Sequence, residues 1–136
     1  MTYKFTIPGR LPNLNDFIKA ERTTVKSDYR SKVLLTKGAL MKKQWQKYVA
    51  NYIRADLGNT KPKTPIDIHY TFYEPDRKRD KDNIMGFALK VIFDALQSVG
   101  TIPNDNWANI NNLSMDFKVD RGFARIEVEL IEREDL

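Results

Sequence analysis

From Ile84 to Val99 the apolar residues Ile84, Phe87, Ala88, Val91, Ile92, Ala95, Leu96 and Val99 recur at i, i+3, i+4 and i+7, and Gly100 follows at once. A stripe with that period buries one helix face, and a glycine just past it supplies the usual stop. The partner for that face is legible upstream: Ile66, Ile68, Tyr70 and Phe72 alternate with other residues, as one side of a half-buried strand does. A helix that must lie on a strand sets the rest of the reading.

Tyr3 to Pro8 reads as a short strand, punctuated by Gly9, Pro12, Asn13 and Asn15, where turn formation is the simplest use of the asparagines. Residues 16 to 31 are polar, basic and aperiodic, which predicts a loop that orders on a partner. Lys32 to Leu57 is expected as a long amphipathic helix ended by Gly58. Asn109–Val119 and Phe123–Ile131 read as strands joined by a hairpin turn at Asp120-Arg121-Gly122, with Gly122 free to take a positive φ. The order β-α-β-α-β-β predicts an α+β fold, one domain over residues 1–136, with helices packed against a mixed sheet.

Composition narrows the chemistry. With no Cys and one His, disulfides, thiol nucleophiles and Cys-ligated zinc are excluded, so any metal must be held by oxygen ligands. The lone His69 falls between the inward positions of its strand and is expected to face outward. No segment has the length of apolar residues needed for a signal peptide or a membrane span, and a cytoplasmic location is the expectation. Net charge is +5, concentrated between Lys19 and Lys63, where twelve Lys/Arg stand against three acids. Such segregation suits a polyanion such as nucleic acid, with Lys42, Lys43 and Lys47 as candidate DNA contacts; a solvated helix face is the other use of the same charges.

The stretch Arg77-Lys78-Arg79-Asp80-Lys81-Asp82-Asn83 sets two aspartates among basic residues just where the helix begins. In an extended segment, residues two apart point the same way, so Asp80 and Asp82 could serve one hard cation, Mg²⁺ or Mn²⁺. Asp82 could instead be the N-cap of the helix, with its neighbour drawn to the helix dipole. Arg77, Lys78 and Arg79 would neutralise a DNA phosphate, and a further acid, Asp105, stands in the polar turn beyond the helix. Asn83 could orient a ligand or cap.

Together, Pro75 to Asn83, Phe93-Asp94-Ala95-Leu96, Gly100 and Asp105 resemble the RusA-type Holliday junction resolvases, also called crossover junction endodeoxyribonucleases. The resemblance implies a homodimeric nuclease of DNA recombination and repair that cuts four-way DNA junctions, with Mg²⁺ or Mn²⁺ held by Asp80, Asp82 and Asp105. It also implies a catalytic lysine three residues before Phe93, namely Lys90; counted from the aspartates, the position falls on Gly86. Nine residues separate Asn83 from Phe93, longer than in shorter family members by about one helical turn. Asn104 stands where some members carry a second acid. Prophage origin fits the small size. Trp45, Trp107 and the last two strands are candidates for the dimer surface, or for core. A catalytically inert DNA-binding or regulatory protein and a hydrolase of another phosphate ester are the alternatives.

Overall fold

Residues 1–28 and 33–133 are described by a computed structural model. The chain runs β1 (Thr2–Pro8), α1 (Leu14–Glu21), β2 (Thr24–Asp28), β3 (Val33–Thr36), α2 (Lys37–Leu57), β4 (Ile66–Glu74), α3 (Lys81–Val99), β5 (Ile110–Val119) and β6 (Arg125–Glu132). One four-stranded sheet has the order β1-β6-β4-β5, and β2 pairs with β3 separately. The strand β5 is parallel to β4, whereas β6 is antiparallel to both β4 and β1. This is the mixed-sheet α+β domain that the periodicities predict.

The core lies between one sheet face and the helices. Ile66, Ile68, Tyr70 and Phe72 of β4 are buried together with Phe87, Val91, Ile92 and Leu96 of α3 and Val49 and Ile53 of α2. Each large apolar side chain so buried contributes about 1.5–3 kcal/mol, which anchors α3 along the sheet. Gly100 ends α3 in the left-handed region at φ 86, and the Thr101 amide donates to the Leu96 carbonyl at 3.0 Å.

Three expectations are corrected. Residues 16 to 28 are not a loop: most of α1 and all of β2 lie there, while positions 29–32 of that expectation fall outside the described residues. The long helix begins at Lys37, because Thr36 adopts extended backbone and its hydroxyl caps the Ala39 amide at 3.0 Å; the segment before it is β3. The last two strands are not a hairpin. The crossover through α3 delivers β5 to the far side of β4, and β6 then returns to β4's other edge with Tyr70 opposite both Met115 and Val128. The 120–122 connection therefore passes over the end of β4, where the Asp120 amide donates to the Glu74 carbonyl at 2.8 Å. Its turn is held by the Asp120 carboxylate, which accepts from the Gly122 and Phe123 amides at 3.0 and 3.2 Å. Gly122 does not use a positive φ.

Candidate active site

The parallel pairing of β4 and β5 brings the C-terminal ends of both strands together, with Glu74 opposite Val119. The chain leaving β4 turns through Pro75–Asp80 into α3, and the three segments enclose a cleft of about 460 Å³. It is lined by Glu74, Asp76, Arg77, Arg79 and Asp80 from the end of β4 and the turn, Lys81 and Ile84 from α3, and Phe117, Lys118 and Val119 from β5. The Lys81 ammonium lies 5.2 Å from the centroid of the Phe117 ring.

Within the basic run the three side chains part ways. Arg77 and Lys78 are exposed. Arg79 turns inward: Nε and Nη2 each donate at 2.8 Å to the buried Glu74 carboxylate, and Nη1 donates to the Leu11 carbonyl (2.9 Å) and Asn13 Oδ1 (2.8 Å). With its side chain 12% exposed and its donors committed, Arg79 ties the segment before α1 to the end of β4 and has little left for a phosphate.

Asp80, not Asp82, occupies the N-cap position of α3, in extended backbone and without a side-chain capping bond. Asp82 lies in the first helical turn, with Oδ1 accepting from the Asn83 amide at 3.0 Å. The pair thus straddles the helix start instead of sitting in one extended segment. Both carboxylates are exposed, at the end of the helix where the dipole and free amides favour negative charge. Asn83 neither caps nor faces the cleft opening; its Oδ1 accepts from the Asn15 amide at 3.3 Å and holds α1 against α3. Asn13 is the N-cap residue of α1.

Asp105 lies elsewhere. The 19 residues of α3 span roughly 28 Å at about 1.5 Å per residue, and Asp105 follows at the far end. The next residue, Asn106, accepts from the Asn109 and Ile110 amides at the start of β5, so the loop cannot swing back along the helix. Among the described residues, no group of three or more His, Asp or Glu side chains lies close enough to hold a metal ion. One copy of the chain therefore brings Asp80 and Asp82 together and leaves Asp105 apart.

Lys90 is exposed on α3, about 12 Å along the axis from Asp82 at about 1.5 Å per residue. The competing position, Gly86, is where Leu14 of α1 packs: a Cβ there would come within 2.8 Å of Leu14 Cδ2, so any side chain would force Leu14 to shift. On α2, Lys43 and Lys47 are exposed, whereas Lys42 is half-buried and pairs with Asp94 of α3 at 3.1 Å. His69 faces the helix-free side of the sheet, bonded to Ser114 Oγ (2.6 Å) and Asp116 Oδ2 (3.1 Å). Trp45 packs half-buried against the core, while Trp107 is 97% exposed.

Sequence reasoning missed Glu74, Phe117, Lys118 and Val119 as neighbours of the motif. Glu74 could have been found as an acid ending an apolar strand five residues before an arginine. The β5 residues could not, since only the parallel crossover puts them there.

A family model described as Endodeoxyribonuclease RusA matches residues 19–131, most of the chain. No curated protein matches it in pairwise comparison.

Proposed function

We propose that this chain, which belongs to the Endodeoxyribonuclease RusA family, is a metal-dependent nuclease that cuts four-way (Holliday) DNA junctions as a homodimer, each active site being built from two copies. The observation that carries this reading is the position of the acids: Asp80 and Asp82 begin α3, and Asp105 follows its other end. Two copies related by a dyad across the middle of α3 and β5 would run antiparallel, and each Asp105 would meet the other copy's Asp80 and Asp82. The dyad forms two such sites at once, matching the two-fold symmetry of a junction cut on two strands in recombination and repair.

The donor chemistry fits a hard cation. Asp80 and Asp82 are both exposed at the start of α3, Asp80 with no capping bond and Asp82 accepting only from the Asn83 amide, and two carboxylates so close in the chain repel unless a cation or proton offsets them. Mg²⁺ or Mn²⁺ bound by Asp80, Asp82 and the second copy's Asp105 would polarise a phosphodiester and lower the pKa of an attacking water. The chain's own part is electrostatic and positional. Arg77, Lys78 and Lys81, with the amides at the start of α3, draw the phosphate to the cleft mouth. Arg79 fixes the turn that presents Asp80. Lys43 and Lys47 extend the basic surface to flanking DNA, and Lys90 is the candidate to neutralise charge on the cleaved strand.

A single assay tests the activity: labelled four-way junction and linear duplex of the same sequence, mixed and incubated with Mg²⁺ or with EDTA. The expected result is paired nicks in the junction alone, and only with Mg²⁺. Tight junction binding with no cleavage in Mg²⁺ would favour a DNA-binding protein without catalysis.

A further inference from the structure

Trp107 is 97% exposed, yet the loop that carries it is closely tied. Asn104 Oδ1 accepts from the Asn106 amide (2.9 Å), Asn106 Oδ1 accepts from Asn109 Nδ2 (2.8 Å), and Asn109 Oδ1 accepts from the Thr64 hydroxyl (2.9 Å). An indole held out in water on a tied loop leaves its apolar surface unpaired, as residues at binding surfaces do.

Charge indicates what covers it. From Val91 to Phe117 the sequence has no Lys or Arg and carries Asp94, Asp105 and Asp116, a poor approach for a DNA strand and a good one for a basic surface. Such a surface is present at the opposite end of α3. The cleft there is lined by the apolar Ile84, Phe117 and Val119, by the paired Glu74 and Arg79, and by three further cations, Arg77, Lys81 and Lys118, against two further acids, Asp76 and Asp80, and Val119 is 43% exposed. Its volume of about 460 Å³ is in the range that takes a small aromatic group, about 300–1,000 Å³.

We infer that Trp107 of one copy seats in the Phe117 cleft of a second copy, two residues from the Asp105 that joins Asp80 and Asp82 there. This inference rests on the two-copy site proposed above and names the contact that sets its register. The Lys81 ammonium, already over Phe117, would share its charge with the indole face.

The test is made on the full chain without DNA and in EDTA. Sedimentation equilibrium should show a dimer whose Kd rises about thirty-fold or more in Trp107→Ala, the scale of a buried aromatic anchor. Phe117→Ala should weaken it similarly, and the double variant should be far less than additive. In a Trp45→Phe background, Trp107 emission should be blue-shifted at dimer concentrations and move to the red on dilution. The inference is overturned if Trp107→Ala dimerises as the wild type does, if the chain is monomeric throughout, or if Trp107 emission changes only when junction DNA is added, which would assign the indole to base stacking. Normal dimerisation of Trp107→Ala together with cleavage rescued by mixing the Asp82 and Asp105 variants described below would sink this contact and leave the two-copy site standing. Trp107-dependent dimerisation without that rescue would do the reverse.

Discussion

Glu74 and Arg79 form a two-bonded ion pair inside the molecule, Nε to Oε1 and Nη2 to Oε2 both at 2.8 Å, with side chains 8% and 12% exposed. The pair sits between the end of the central strand and the turn that carries Asp80, so one arginine of the basic run is committed to the scaffold.

Removing Arg79 leaves the buried Glu74 carboxylate with only the half-exposed Arg10 guanidinium, 3.4 Å away. Arg79→Ala should therefore lower stability by about 3 kcal/mol in chemical denaturation, the low end for breaking a buried pair. Arg79→Lys should recover only part, because an ammonium cannot reproduce the planar fork that also reaches Leu11 and Asn13. Arg77→Ala, at an exposed position, should leave the denaturation midpoint within about 0.5 kcal/mol of wild type and weaken junction binding.

Asp82→Asn removes charge from the proposed metal-binding pair while keeping shape. The cleavage rate in Mg²⁺ should fall by more than about 100-fold, on the scale of losing a direct electrostatic stabiliser. Junction binding in EDTA should hold or improve, since a phosphate then faces one carboxylate fewer. Because Asp80 makes no capping bond, Asp80→Asn should behave alike, with melting unchanged in both. Cleavage near the wild-type rate in either variant removes that residue from the site.

Lys90→Ala should slow cleavage strongly with little change in junction Kd, the pattern of a group that acts only in the transition state. A rate within a few-fold of wild type would make Lys90 an ordinary surface lysine of α3.

Stability should also depend on acid through the helix-free sheet face. Burial raises the Glu127 carboxyl, but hydrogen bonds from Lys4 and Arg125 outweigh it and hold the group below its ordinary 4.5. Asp120 is likewise lowered, chiefly by its hydrogen bond from Arg125 and then by the Gly122 amide. A carboxylate with a depressed folded pKa contributes stability above its unfolded pKa and loses it as pH falls through the folded one. Thermal midpoints should therefore hold down to about pH 4.5, the ordinary Glu127 value, and drop below it. Glu127→Gln should start lower at pH 7 and flatten that descent; an unchanged slope would take Glu127 out of the acid response.

Much of this was legible in the residues. The α3 stripe, its Gly100 stop and the alternation of β4 are long-range patterns set by burial, and burial is what built them. The short α1 carries Leu14, Phe17 and Ile18 at i, i+3 and i+4, but over only 8 residues, about two turns, too short a stretch to stand out from the polar, basic residues around it. The neighbouring strands β5 and β6 looked like a hairpin because proximity in sequence favours one. Their pairing was decided by the crossover through α3, which no local signal carries. The separation of Asp105 from Asp80 was implicit: a helix that long between two acids keeps them at opposite ends.

Mixing two inactive variants tests the shared site most directly. Asp82→Asn and Asp105→Asn chains, each unable to cut a junction alone, are combined, allowed to exchange subunits and given a four-way junction with Mg²⁺. If each site takes Asp80 and Asp82 from one copy and Asp105 from the other, the mixed dimer contains one intact site and one doubly damaged one, and it should nick a single strand of the junction. If all three aspartates act within one copy, both sites of the mixed dimer are damaged. No cleavage at any ratio, with mixed dimers demonstrably formed, would contradict the two-copy site.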